Sequence, residues 1–96
     1  MAKLVRLLNE QEYPLPEERE FKIGRGSDSN ICVLEEGVSR THCVITKSSG
    51  DSGEYVLTDR SKNGTFVNEK RTGQVYVLRG EDIIGVGTHR FKFSSK

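Results

Sequence analysis

The residues best equipped for chemistry fall in three short stretches. Gly24-Arg25-Gly26 follows the strand-like Phe21-Lys22-Ile23. Val38-Ser39-Arg40-Thr41-His42 precedes the apolar Cys43-Val44-Ile45. The third stretch runs Asp59-Arg60-Ser61-Lys62-Asn63-Gly64-Thr65-Phe66-Val67-Asn68. Arg25 offers a planar fork of donors suited to an oxyanion. Ser39 offers a hydroxyl donor and a backbone N–H at a strand entry. Arg40 or Lys62 adds a second positive charge. Asn63 carries both an amide donor and a carbonyl acceptor, which suits it to pinning an extended backbone. Gly64 permits a positive φ in a tight turn after Asn63. Together these groups suit a phosphate, which brings about −1.5 to −2 charges and three strong acceptor oxygens.

Each residue has a plainer use. Arg25 alone is a solvated charge beside a turn, and Ser39 alone starts a turn. Lys62 can point to water, and Asn63 tolerates the left-handed conformation of a turn. Gly26 and Asn30 read as turn residues. Catalytic readings are weaker still. A Ser39/His42/Asp59 triad would need an exposed nucleophile and an oxyanion hole, and nothing marks either. Zinc held by Cys32, Cys43, His42 and His89 would need adjacent strand residues His42 and Cys43 to share one ion, although they point to opposite faces. Gly24-Arg25-Gly26 lacks the later glycines and the lysine of nucleotide-binding loops, and no helix follows. No catalytic residue, metal or cofactor is expected.

The elements that must position these loops have a period of two. Candidate strands are Lys3–Leu8, Glu20–Gly24, Ile31–Leu34, His42–Lys47, Glu54–Thr58, Thr65–Asn68, Val75–Leu78, Asp82–Val86 and His89–Ser94. Each is short and rich in β-branched, aliphatic or aromatic residues. Turn clusters separate them: Gly26 to Asn30, Ser48 to Gly53, Asp59 to Gly64, and Gly85 to Gly87. Pro14–Glu20 is acidic with two prolines and reads as an exposed connection. Regular short strands of this kind predict an all-β sandwich or barrel.

The three stretches, in this order, resemble the forkhead-associated (FHA) domain family. Gly24-Arg25, Ser39-x-x-His42 and Asn63-Gly64-Thr65 match its motifs. Leu78 to Gly87 is similar to its closing Leu-x-x-Gly-Asp-x-Ile-x-x-Gly, with one extra residue at Glu81. The resemblance covers about residues 21–93. It implies an FHA-like β-sandwich of two antiparallel sheets, about eleven short strands, with ligand loops at one end. It implies no catalysis, and a preference for phosphothreonine over phosphoserine. Arg25, Ser39, Arg40, Lys62 and Asn63 would contact the phosphopeptide. Gly24, His42, Gly64 and Thr65 would support them, His42 by hydrogen-bonding nearby loops.

Composition limits the alternatives. A chain of 96 residues holds one domain, 1–96, and its ends read as ordinary strand edges. The 15 basic and 14 acidic residues give a net charge of +1, without the basic field of a nucleic-acid binder. No apolar run is long enough to span a bilayer, and Arg6 interrupts the only leader-like stretch, Leu4 to Leu8. Cys32 and Cys43 each lie in apolar surroundings and read as two buried thiols of a reducing compartment. The expected location is intracellular, and the resemblance points to a nuclear one in DNA-damage signalling. The competing function is a phosphate-independent interaction or dimerisation module on the same sandwich, with a homodimer as one form.

Overall fold

The computed structural model describes residues 2–48 and 53–95. Among them there are eleven strands and no helix. In chain order these are β1 (Lys3–Arg6), β2 (Glu12–Pro14), β3 (Phe21–Gly24), β4 (Ile31–Cys32), β5 (Cys43–Lys47) and β6 (Tyr55–Asp59). β7 (Phe66–Val67), β8 (Lys70–Arg71), β9 (Val75–Val77), β10 (Ile83–Val86) and β11 (His89–Ser94) follow. They form two sheets, one in the order β2-β1-β11-β10-β7-β8, the other β4-β3-β5-β6-β9. Neighbours are antiparallel except β3 and β4, which run parallel through Ile23↔Ile31 and Gly24↔Cys32.

Alternation along each strand decides what faces inward. Phe21 and Ile23 are buried on β3, Tyr55 and Leu57 on β6, and Phe91 and Phe93 on β11. Their neighbours Lys22, Val56, Arg90 and Lys92 are partly exposed. These inward faces, with Leu4, Ile31, Val33, Ile45, Ile84 and Val86, make one continuous core. Leu4 pairs with Phe93 across the β1–β11 ladder, so the first strand closes the sheet that carries the last.

The register also fixes where the loops emerge. Cys43, at the start of β5, stands opposite both Ile23 near the end of β3 and Asp59 at the end of β6. The segments 25–30, 33–42 and 60–65 therefore leave the sandwich at one end. β10 finishes at Val86, paired with His89, so the turn at Gly87-Thr88 lies at the tip of that ladder.

Several expectations need correction. β2 and β8 were not legible as strands. β2 is a three-residue edge with Pro14 at its last position, and β8 is two exposed charged residues, so neither shows apolar alternation. β4 ends at Cys32, which alternation turns outward: Cys32 is exposed, and only Cys43 is a buried thiol. Burial pushes the Cys43 thiol up to about 12, aided by the nearby Asp59 charge and opposed by Thr65. Gly85 is not a turn residue. It is buried in β10 opposite Arg90, and the chain reverses at Gly87-Thr88. Of the turn expected over Ser48 to Gly53, residues 49–52 lie outside the described residues.

Candidate functional site

The loop after β3 is laced to the loop before β5 by backbone bonds. The Arg25 N–H donates to the Ser39 carbonyl at 2.9 Å, and the Gly26 N–H donates to the Arg40 carbonyl at 3.0 Å. The His42 N–H donates to the Ile23 carbonyl at 2.9 Å. This close approach explains the residue at position 24. A Cβ there would stand 2.0 Å from the Arg40 carbonyl oxygen. Gly24→Ala is therefore expected to force the two loops apart, at about 1–3 kcal/mol of stability. For a domain this size each kcal/mol lowers the thermal midpoint by about 4–8 °C. A melting curve that overlays the wild type would refute this packing argument.

His42 is 1% exposed and joins the second loop to the third. Its Nδ1 accepts the Ser39 N–H at 3.2 Å, and its Nε2 faces the Gly64 carbonyl at 2.9 Å. One partner is an obligate donor and the other an obligate acceptor. Together they assign the neutral ring with its proton on Nε2.

The third loop is folded around the Asp59 carboxylate. Its Oδ1 accepts the Ser61 N–H at 3.0 Å, the Ser61 hydroxyl at 2.6 Å and the Thr65 hydroxyl at 2.9 Å. Burial would raise this carboxyl. The bonds from Ser61, then Thr65, outweigh it and hold Asp59 below the usual carboxylate range. Ser61 Oγ accepts the Gly64 N–H at 2.7 Å, which closes the turn in which Gly64 takes φ +100°. Thr65 is fully buried beneath it.

The five candidate contact residues come to the surface of this frame. Arg25, Arg40, Lys62 and Asn63 are exposed and Ser39 is half-buried. Ser39 Oγ accepts the Lys62 N–H at 3.0 Å, which leaves the hydroxyl proton to donate outward. Asn63 Nδ2 donates to the Gly37 carbonyl at 2.8 Å, which leaves its side-chain oxygen as an acceptor. Arg25 and Arg40, with Gly26, Ser27, Asp28 and Leu34, line an open groove of about 520 Å³. Ser39, Lys62 and Asn63 lie outside that groove, Ser39 bonded to Lys62 and Asn63 to Gly37. Two guanidinium groups lining one groove make a surface that attracts a doubly charged oxyanion.

The same bonds exclude the triad. Ser39 meets His42 through its backbone N–H, not its hydroxyl, and Asp59 is occupied by Ser61 and Thr65. His42 cannot act there as a base toward Ser39 Oγ. Among the described residues no group of three His, Cys, Asp or Glu side chains is placed to hold a metal.

Two supports had no signal in the sequence. The Gly37 carbonyl holds the Asn63 side chain across 26 residues. Glu35 accepts the Thr88 N–H at 2.9 Å and the Thr88 hydroxyl, across 53 residues. Those two bonds hold the Glu35 carboxyl below its ordinary range and clamp the second loop to the β10–β11 turn.

A family model described as FHA domain matches residues 21–87. The chain is similar to a probable serine/threonine-protein kinase, fhkA, of Dictyostelium discoideum, at 38% identity over 63 residues, which cover 59% of this chain and 11% of the kinase. It is also similar to Mycobacterium tuberculosis EmbR solved in complex with a low affinity phosphopeptide. The TM-score is 0.85 at 33% identity, covering 97% of this chain and 24% of that one. A further structure, from a structural and functional analysis of phosphothreonine-dependent FHA domain interactions, matches with TM-score 0.84 at 30% identity, over 99% of this chain and 96% of that one. The chain thus spans about a tenth of the kinase and a quarter of EmbR.

Proposed function

The chain belongs to the FHA domain family, and from that premise we propose that it binds a phosphothreonine-containing segment of a partner protein at the loop end of its sandwich. One observation carries the reading. Arg25, Ser39, Arg40, Lys62 and Asn63 are presented together on three loops whose own polar needs are met by His42, Asp59, Ser61 and Gly37. The phosphate would sit against Arg25, Arg40 and the Ser39 hydroxyl. Lys62 adds charge, and the Asn63 side-chain oxygen accepts an N–H from the bound segment. The EmbR structure with its phosphopeptide and the phosphothreonine-dependent FHA structure support this role. The relatives span an amoeba and a mycobacterium, so the proposal carries no nuclear address.

Threonine is separated from serine by one methyl group. The stems of Arg40, Lys62 and Asn63 are the available walls for it. Burying one methyl is worth about 0.8 kcal/mol, roughly fourfold in affinity. The stiffer χ1 of threonine adds to this by presenting the phosphate in fewer rotamers. Calorimetry on one peptide in three versions tests the proposal. The phosphothreonine form should bind several-fold more tightly than the phosphoserine form, and the unmodified form should not bind measurably. Equal affinity for the first two would remove the methyl selectivity. Equal affinity for all three would replace the phosphate reader with a phosphate-independent module.

A further inference from the structure

Among the described residues the two sheets have four edge strands, β2, β8, β4 and β9. Three of them are guarded. β2 carries Glu12 and ends at Pro14, β8 is the charged pair Lys70-Arg71, and β4 is only two residues long. Charge, proline and short length are the usual protections of an exposed edge. β9 is longer than β4 and has neither charge nor proline: it reads Val75-Tyr76-Val77, and Val75 is 59% exposed. The Gln74 carbonyl accepts the Asp59 N–H, and the Leu78 N–H donates to the Tyr55 carbonyl, so both face β6. Antiparallel bonding alternates along a strand, so the N–H and C=O of Val75 and Val77 point away from β6, off the open edge.

β8 and β9 end their sheets on the same side of the sandwich. An open groove of about 420 Å³ lies between them, with Val67, Lys70, Arg71 and Tyr76 in its walls. Lys70 and Arg71 are its charged residues, and no Asp or Glu lines it. Glu69, the acid next to Lys70 in sequence, is turned to Arg90 at 2.8 Å. Arg71 lies over Gly64 and remains exposed. A second copy of this chain would set the same cations against these, so the complementary strand is an acidic one.

From the open edge and the charge beside it we infer that this side of the sandwich takes an extended acidic segment of a partner protein as an added strand on β9. The segment's backbone bonds to Val75 and Val77, and its carboxylates face Lys70 and Arg71. Main-chain bonds of this kind supply affinity, and the alternate side chains supply selectivity. Recognition here needs no phosphate and no residue of the three loops, so it stands whether or not those loops read phosphothreonine.

The probe is a short unphosphorylated peptide alternating valine and glutamate, beside a version with lysine for glutamate and a version with central prolines, which cannot pair as a strand. Calorimetry should find the glutamate peptide bound about tenfold more tightly than either. Hydrogen exchange of the Val75 and Val77 amides should slow when it binds. Val75→Pro removes an outward N–H and spares the β6 ladder, a substitution that an edge strand tolerates. It should abolish binding of the glutamate peptide, with the thermal midpoint and the response to a phosphothreonine peptide unchanged. Lys70→Gln should weaken the glutamate peptide about fivefold, the upper range for an exposed ion pair, and decides the matter if Val75→Pro does not fold. Arg25→Ala should bind the glutamate peptide like the wild type. No binding, equal binding of the glutamate and lysine peptides, or affinity unchanged in Lys70→Gln would overturn the inference. Loss of binding in Arg25→Ala would move the peptide to the phosphothreonine loops and also overturn it. Sedimentation that shows the wild type dimerising alone, and Val75→Pro monomeric, would assign the edge to a second copy instead.

Discussion

Arg25→Ala abolishes phosphopeptide binding and leaves the fold intact. The two halves of this expected result come from different atoms of one residue. The backbone N–H of Arg25 holds the first loop to the Ser39 carbonyl, and alanine keeps it. The side chain is exposed and lines the groove it shares with Arg40, so its removal leaves no buried group unpartnered. The phosphate loses charge-assisted bonds and part of the local field, at about 2–4 kcal/mol. A micromolar complex holds only about 8 kcal/mol in total, so binding falls to the edge of detection. Calorimetry checks the first half and a thermal melt the second. Affinity within threefold of wild type would show that the phosphate sits elsewhere.

The second large effect is on stability. His42→Ala removes one ring that satisfies two groups in two loops, the Ser39 N–H and the Gly64 carbonyl. Alanine reaches neither. Each buried polar group left unpaired costs about 1–3 kcal/mol, and the vacated volume adds to it. A total of about 3 kcal/mol lowers the melting midpoint by roughly 12–24 °C in a domain of this size. Phosphopeptide affinity falls as well, because the Ser39 hydroxyl and Asn63 ride on the loops that His42 joins. Glu35 and its Thr88 partners still clamp the second loop from the other side, so the variant should fold. A midpoint within 3 °C of wild type, below the shift of even one kcal/mol, would show that His42 is not the tie between the loops.

What the sequence could disclose follows from where each signal is stored. Strands with one buried face, such as Phe21-Lys22-Ile23 and Phe91-Lys92-Phe93, carry it in their own alternation and were readable. β2 and β8 lie at sheet edges, where no inward face demands apolar residues, and Glu12-Tyr13-Pro14 and Lys70-Arg71 look like loop. Cys32 misled because Ile31, Val33 and Leu34 are apolar around it. The strand ends at Cys32, and Leu34 is 83% exposed. The candidate contact residues were readable because loop chemistry is local: a fork of donors, a hydroxyl and an amide at recognisable turns. Their supports were not. Gly37 beneath Asn63, Thr88 beneath Glu35 and Arg71 over Gly64 are neighbours only after both sheets have formed. Even Gly24, read as support from its motif alone, owes its size limit to the Arg40 carbonyl sixteen residues on.

The central claim, that a phosphothreonine segment docks on the three loops, is most directly tested by following the backbone amides of the isotope-labelled chain by NMR. The same peptide is titrated in phosphothreonine and unmodified forms. The account predicts that only the phosphorylated form shifts the spectrum, and that the shifted amides cluster at residues 25–27, 37–41 and 61–65. Equal responses to both peptides, or shifts centred on the strands of either sheet away from those loops, would contradict it.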